Sequence, residues 1–385
     1  MVDWLVAAED RWHRPADEPS VRQRLIEGTP VVETRLRVPG GDVTHRVTVV
    51  PDRGGLTVFE VTNESPLPVA VALTRPDLWL VRPPTDIPTP GAELPPGSVV
   101  LPLGHRASLR AALVHGTTPA GPLTGDLPAF DAVVRGWRSL CDQIGRVELP
   151  DRSAVDLWTS GRCQAALNLF DDMAQDPAPW LLGCAEAVRL GEPADRWLAE
   201  AVGAVERLER RSWRRGRRRR GVEETLAWDR WRCLLAAETI ARASGDERAA
   251  RDALAVLSRY DGVGDVPGDM PVGVRACAWF EDRLVRPLPD GSLALFPGGL
   301  QRDWFGASLE VHDLAVGGGR RLSFAIRWHG ERPALLWEVD DGGSPWRPPS
   351  GVPWLRGGGL DPVWSSTEQR GEALLGVPPG APQFA

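Results

Sequence analysis

The chain has six histidines (His13, His45, His105, His115, His312 and His329), and none belongs to an HExxH motif or a two-histidine helical pair. No metal site is therefore expected. The five cysteines, Cys141, Cys163, Cys184, Cys233 and Cys277, include no CxxC pair and read as small buried hydrophobes. All 45 basic residues are arginine, so Schiff-base lysine, pyridoxal-phosphate lysine and P-loop chemistry are excluded. GxSxG elbows and GxGxxG loops are absent as well, and no cofactor is expected. What remains is carboxylate, indole and guanidinium chemistry.

Seventeen tryptophans stand against a single tyrosine, Tyr260. An indole offers a flat apolar face for the C–H side of a sugar ring and an N–H donor besides. Trp228, Trp231 and Trp279 are the candidates for substrate binding, with core packing between helices as the competing reading. Residues 207–220, RLERRSWRRGRRRR, hold nine arginines and one glutamate in a chain whose net charge is −7. Such a cluster suits phosphate groups, or else forms a solvated loop between helices. Apart from this Arg207–Arg220 loop, the acidic balance argues against nucleic acid as a partner.

The elements that must position these residues follow from periodicity. Residues 1–26 read as a short helical lead-in. Val32, Thr34, Leu36 and Val38 alternate with charged residues, and further strands follow at 45–50, 56–61, 69–74 and 109–115. Residues 27–117 are thus expected to form an antiparallel β-sandwich. The pattern then turns helical through 118–290. Phe130–Ile144 starts this part, Ser153 and Asp156 form a capping box for a helix reaching about Asp172, and Gly191 ends a helix from Trp180 to Leu190. Val222–Ala243 and Asp246–Tyr260 follow. Short connections predict six to eight helices in antiparallel hairpins. Period two returns in 291–385, where Leu322, Phe324, Ile326 and Trp328 share one face and Ala334–Val339 supplies a partner strand. The fold class is α+β multidomain: an N-terminal antiparallel β-sandwich, a central α/α hairpin domain and a C-terminal β-domain. The N-terminal apolar run is too short for a signal peptide and no stretch is long enough to span a bilayer, so a cytoplasmic location without membrane partner is expected.

This order of parts, with the segments EVTNESPLPVAVAL (60–73), LPLGHRASLRAAL (101–113), FDAVVRGWRSL (130–140), LSFAIRWHGERPALLWEV (322–339) and LDPVWSSTEQRGEALL (360–375), resembles the six-hairpin glycosidase-like proteins. These include glucoamylases and glycogen-debranching glucosidases, and the segments look like the actinobacterial branch. The resemblance implies an α/α toroid, here shortened to a partial one because residues 118–290 cannot hold six full hairpins. It implies carbohydrate metabolism, with a carbohydrate ligand and a hydrolase using two carboxylates, one protonating the leaving oxygen and one activating water. The acids in the matching regions are Glu223, Glu224, Asp229, Glu281 and Asp282. Of these Glu281, Asp282, Glu224 and Asp229 are the catalytic candidates. The competing readings are helix N-terminal placement for Glu223 and Glu224 and a solvated helix face for Glu281 and Asp282. Two functions are therefore carried forward. One is hydrolysis of an α-linked glucan or small glycoside, and the other is a pseudoenzyme scaffold for sugar binding or protein contact.

Overall fold

The computed structural model describes residues 2–84, 93–116, 123, 127–170, 172–215, 220–259 and 271–381, without the side chains of residues 209, 211–215 and 220–226. It is a mixed α+β chain with seven α-helices among the described residues and sheets that are almost wholly antiparallel. No helix among these residues is long and apolar enough to cross a membrane. The chain divides into two compact units, 1–137 and 138–385.

The first unit holds β1 (Trp4–Ala7), β2 (Trp12–His13), β3 (Arg22–Leu25), β4 (Val32–Val38), β5 (Gly41–Val50), β6 (Leu56–Asn63), β7 (Val69–Leu73), β8 (Trp79–Leu80), β9 (Val99–Leu103) and β10 (Ser108–Val114), followed by α1 (Phe130–Asp142), in which the division falls. One sheet runs β2-β1-β7-β9 and the other β3-β4-β5-β6-β10-β8. Trp4, Val6, Val71 and Leu101 of the first share a core with Leu36, Val43, Phe59 and Leu109 of the second. The helical lead-in expected over residues 1–26 is corrected here. Trp4 and Val6 are buried and alternate with half-buried neighbours, a period of two, and Trp4–Ala7 pairs antiparallel with Ala70–Leu73. On the other sheet a row of alternating charge crosses five strands in register: Arg24, Glu33, Arg46, Glu60 and Arg110. Glu33 is buried and accepts from Arg24, Arg35 and Arg46 at 2.8–3.1 Å.

The second unit contains β11 (Arg146–Glu148), α2 (Arg152–Ala166), α3 (Pro177–Arg189), α4 (Leu198–Arg215), α5 (Arg220–Ala243), α6 (Glu247–Leu257), α7 (Val274–Leu284), β12 (Val285–Pro287), β13 (Leu293–Leu295), β14 (Leu309–Ala315), β15 (Arg321–His329), β16 (Arg332–Asp340), β17 (Leu355–Arg356), β18 (Ser365–Ser366) and β19 (Arg370–Leu374). The capping box expected at Ser153 gives way to Asp151, whose carboxylate accepts from the Ser153 and Ala154 amides, so α2 begins earlier and stops at Ala166. Asp176 and Asp246 cap α3 and α6 in the same manner. Every residue from Pro177 to Val188 is buried, which makes α3 the central helix of this unit. Its approach to its surroundings is close. A Cβ on Gly183 would stand 2.6 Å from the Phe170 ring, and one on Gly161 of α2 would stand 2.5 Å from Cys277 Sγ of α7.

Two sheets complete the unit, β11-β14-β15-β16-β19 and β12-β13-β17-β18. One core runs through helices and strands alike, joining Trp158, Leu181, Trp228 and Phe280 to Phe296, Phe324, Ile326 and Trp337. The helical part and the C-terminal β part expected to meet near residue 290 are thus one packed body. Between β14 and β15, Gly317, Gly318 and Gly319 all take positive φ, 79°, 69° and 76°. The buried Arg320 fastens this turn by donating to the Gly317, Val316 and Gly291 carbonyls, and its guanidinium lies 4.6 Å from the Trp346 ring.

Candidate functional site

Asp229, Glu281 and Asp282 come together with Trp228 where α5 and α7 meet. On α5, Trp228 and Arg232 lie one turn apart and point at successive residues of α7. Trp228 Nε1 donates to Asp282 Oδ2 at 3.1 Å, and Arg232 Nη2 donates to Glu281 Oε2 at 2.7 Å. Arg275 of α7 returns the contact by pairing with Asp229 of α5. Asp282 Oδ2 also accepts from Arg286 Nε at 3.0 Å and Nη2 at 2.7 Å.

Glu281 has three arginines around it. Besides Arg232, Arg189 Nη1 donates to it at 3.4 Å and Arg162 Nη2 lies 3.9 Å away. Burial alone would raise the Glu281 carboxyl, but Arg189, Arg232 and Arg162 outweigh it and hold the group below its usual range. Glu186 closes the cluster, accepting from Arg162 Nε at 2.9 Å and from Arg189 Nη1 at 3.0 Å. Arg189 feels burial downward and the two carboxylates more strongly upward. Arg162 further donates to the carbonyls of Cys141, Gly145 and Ile144 and stacks 3.6 Å from the Trp158 ring centre. The Asp229 carboxyl is displaced upward by its burial, an effect that Arg275 reduces without cancelling.

The three tryptophans are buried among helices. Trp228 and Trp231 are 0% exposed and Trp279 is 5% exposed. Trp231 meets Trp346 edge to face at 6.5 Å, and Arg283 covers the Trp279 ring at 4.3 Å. A cavity between α3, α5 and α7, lined by Glu186, Arg189, Arg232, Glu281 and apolar side chains but by none of these tryptophans, measures about 20 Å³. Glu223 and Glu224 lie within α5, but their side chains fall outside the described residues. Of the arginine-rich run, residues 207–215 end α4 and Arg220 opens α5, while 216–219 fall outside the described residues.

Reading the sequence missed Arg162, Glu186, Arg189 and Arg232, which complete the cluster. One signal was present: Glu186 and Arg189 are the charged pair in an otherwise apolar helix, three residues apart and so on one face.

A larger concavity, about 840 Å³, lies on the outer face of β14, β15, β16 and β19. The register places Glu148, Glu310, Ala325, Leu336 and Glu372 in one row across five strands, with Arg327, Ala334 and Leu374 beside it. Leu336 is 58% and Leu374 50% exposed. Phe324 and Trp337, on the opposite face of the same strands, belong to the core. Glu148, Glu310 and His312 stand within reach of a common metal ion, but Glu310 is already paired with Arg327. No protein-family model matches the chain, and no curated protein sequence does.

Proposed function

We propose that this chain is a glycosidase-like scaffold that does not hydrolyse glycosides. In this reading its helical hairpins are a partial ring of the six-hairpin type, and the open sheet face is its contact surface for a protein partner. One observation carries the reading: Asp229, Glu281 and Asp282 are each held by arginine in a helical layer whose cavity of about 20 Å³ admits a water-sized guest. Protonating a glycosidic oxygen needs a carboxyl of raised pKa facing an open subsite. Glu281 is lowered instead. Trp228, Trp231 and Trp279 support the same reading, since rings enclosed on both faces have none left for a sugar.

The open face has the opposite character. Ala325, Ala334, Leu336 and Leu374 form an apolar centre, and Glu310, Arg327 and Glu372 surround it with both signs of charge. An apolar centre inside a charged rim is the usual make-up of a protein contact. A sugar platform would instead present an exposed aromatic ring.

Hydrolysis remains the second reading on one observation, the raised Asp229 carboxyl, which is the direction a proton donor requires. A release assay over a panel of α-linked glucans and aryl glycosides separates the two. The scaffold reading expects no product from the wild type. Product that disappears in Asp229→Asn or Glu281→Gln, with the fold retained by circular dichroism, would replace the scaffold with an enzyme.

A further inference from the structure

The buried cluster around Glu281 carries an unbalanced charge. Arg162, Arg189 and Arg232 face two carboxylates, Glu186 and Glu281, at 2.7–3.9 Å. Two neighbouring acids on the same helices are already committed, Asp282 to Arg286 and Trp228, and Asp229 to Arg275. One positive charge is therefore left over in the interior, where an uncompensated ion is costly. Two donors point the same way. The Nε–H groups of Arg189 and Arg232 are buried and have no acceptor among the described residues, and Arg232 as a whole is 6% exposed.

Both arginines line the cavity of about 20 Å³. A space of this size takes one water or one ion of similar radius. Sulfate or phosphate would overfill it, and their second negative charge would reverse the imbalance. Water fits but leaves the excess charge in place. A monovalent inorganic anion satisfies size, charge and donors together.

We propose that this cavity is a binding site for a halide-sized monovalent anion, held by the guanidinium groups of Arg189 and Arg232 and completing the charge of the Arg162–Glu186–Arg189–Arg232–Glu281 cluster. The anion acts as a structural counter-ion between α3, α5 and α7. It is independent of whether the protein hydrolyses anything.

The test uses the full chain, exchanged into sodium gluconate and melted at constant ionic strength while chloride or bromide replaces gluconate. A saturable rise in Tm is expected with both halides, about 5 °C or more at a hundredfold excess over Kd, and no rise with sulfate. Arg189→Gln balances the cluster at two charges of each sign, and Arg189 is the most exposed of the three arginines, so this variant is expected to fold. Its melting should be the same in chloride and gluconate. Bromide soaked into crystals should give an anomalous peak beside Arg232. Equal melting of the wild type in chloride and gluconate overturns the proposal. So does a chloride response that Arg189→Gln leaves intact, since that would place the ion elsewhere.

Discussion

His45 lies 4.6 Å from the Trp4 ring and 5.9 Å from the Phe59 ring, stacked on both, and its buried Nε2 has no partner among the described residues. Burial pushes the imidazole down to about 4. The unfolded chain protonates near pH 6.5, so between these values the unfolded state binds more protons and stability rises with pH. The stability is complete above pH 6.5 and is lost as pH falls through 4, by up to about 3 kcal/mol. Urea denaturation at pH 7.5 and 4.5 should show this loss in the wild type and a smaller one in His45→Phe. Equal losses in the two proteins would contradict it. Glu281 makes the complementary case. Glu281→Gln leaves three arginines facing one carboxylate, and removal of one partner from a buried ionic cluster costs about 3–5 kcal/mol. Chemical denaturation should register that loss, and a variant as stable as the wild type would mean the arginines find other partners. The resemblance grouped Asp229, Glu281 and Asp282 with Trp228, Trp231 and Trp279, and the structure brings Trp228 and Asp229 of α5 to Trp279, Glu281 and Asp282 of α7, while Trp231 packs apart against Trp346. Arg286, one turn from Asp282, was within reach of reasoning from helical spacing, but the partners of Asp229 and Glu281 lie 46 or more residues away along the chain and were not.

At the scale of elements, the strands of the first unit were readable wherever apolar and charged residues alternate, as in Val32–Val38 and Gly41–Val50. Trp4–Ala7 was not, because four residues are too few to separate periods of two and 3.6, and the pairing with β7 that decides it is long-range. Helix starts were misplaced where several capping residues compete, and Asp151 prevails over Ser153 because its carboxylate reaches two amides. The packing of α2 against α7 depends on a residue that periodicity ignores. Gly161 leaves no room for a methyl beside Cys277 Sγ and the Gly273 carbonyl, the latter 2.8 Å from where its Cβ would stand. Gly161→Ala should therefore destabilise the second unit by about 1–3 kcal/mol despite alanine's better helix propensity. A thermal melt showing a gain would mean that the two helices separate without penalty.

For the whole molecule, three successive parts were expected, and the observed division is between residues 137 and 138. The reason is the shared core: Leu181 and Trp228 of the helices pack in one cluster with Phe324 and Trp337 of the sheet. A fragment of residues 138–385 should unfold in a single cooperative transition. A fragment of residues 118–290 should lack one, having lost the strands that cover its apolar faces. Independent cooperative folding of the shorter fragment, followed by calorimetry, would show the helices to be self-sufficient.

The glycine turn before Arg320 sets where this protein can be altered. A methyl at residue 317 would strike Leu235, and one at 318 would strike the Ser344 hydroxyl. With all three backbones left-handed, ordinary side chains are disfavoured twice over. A mutational library should come back nearly empty across this stretch. The β15–β16 hairpin tip at Gly330 has open space around it and is the place to insert an affinity tag or a fluorophore.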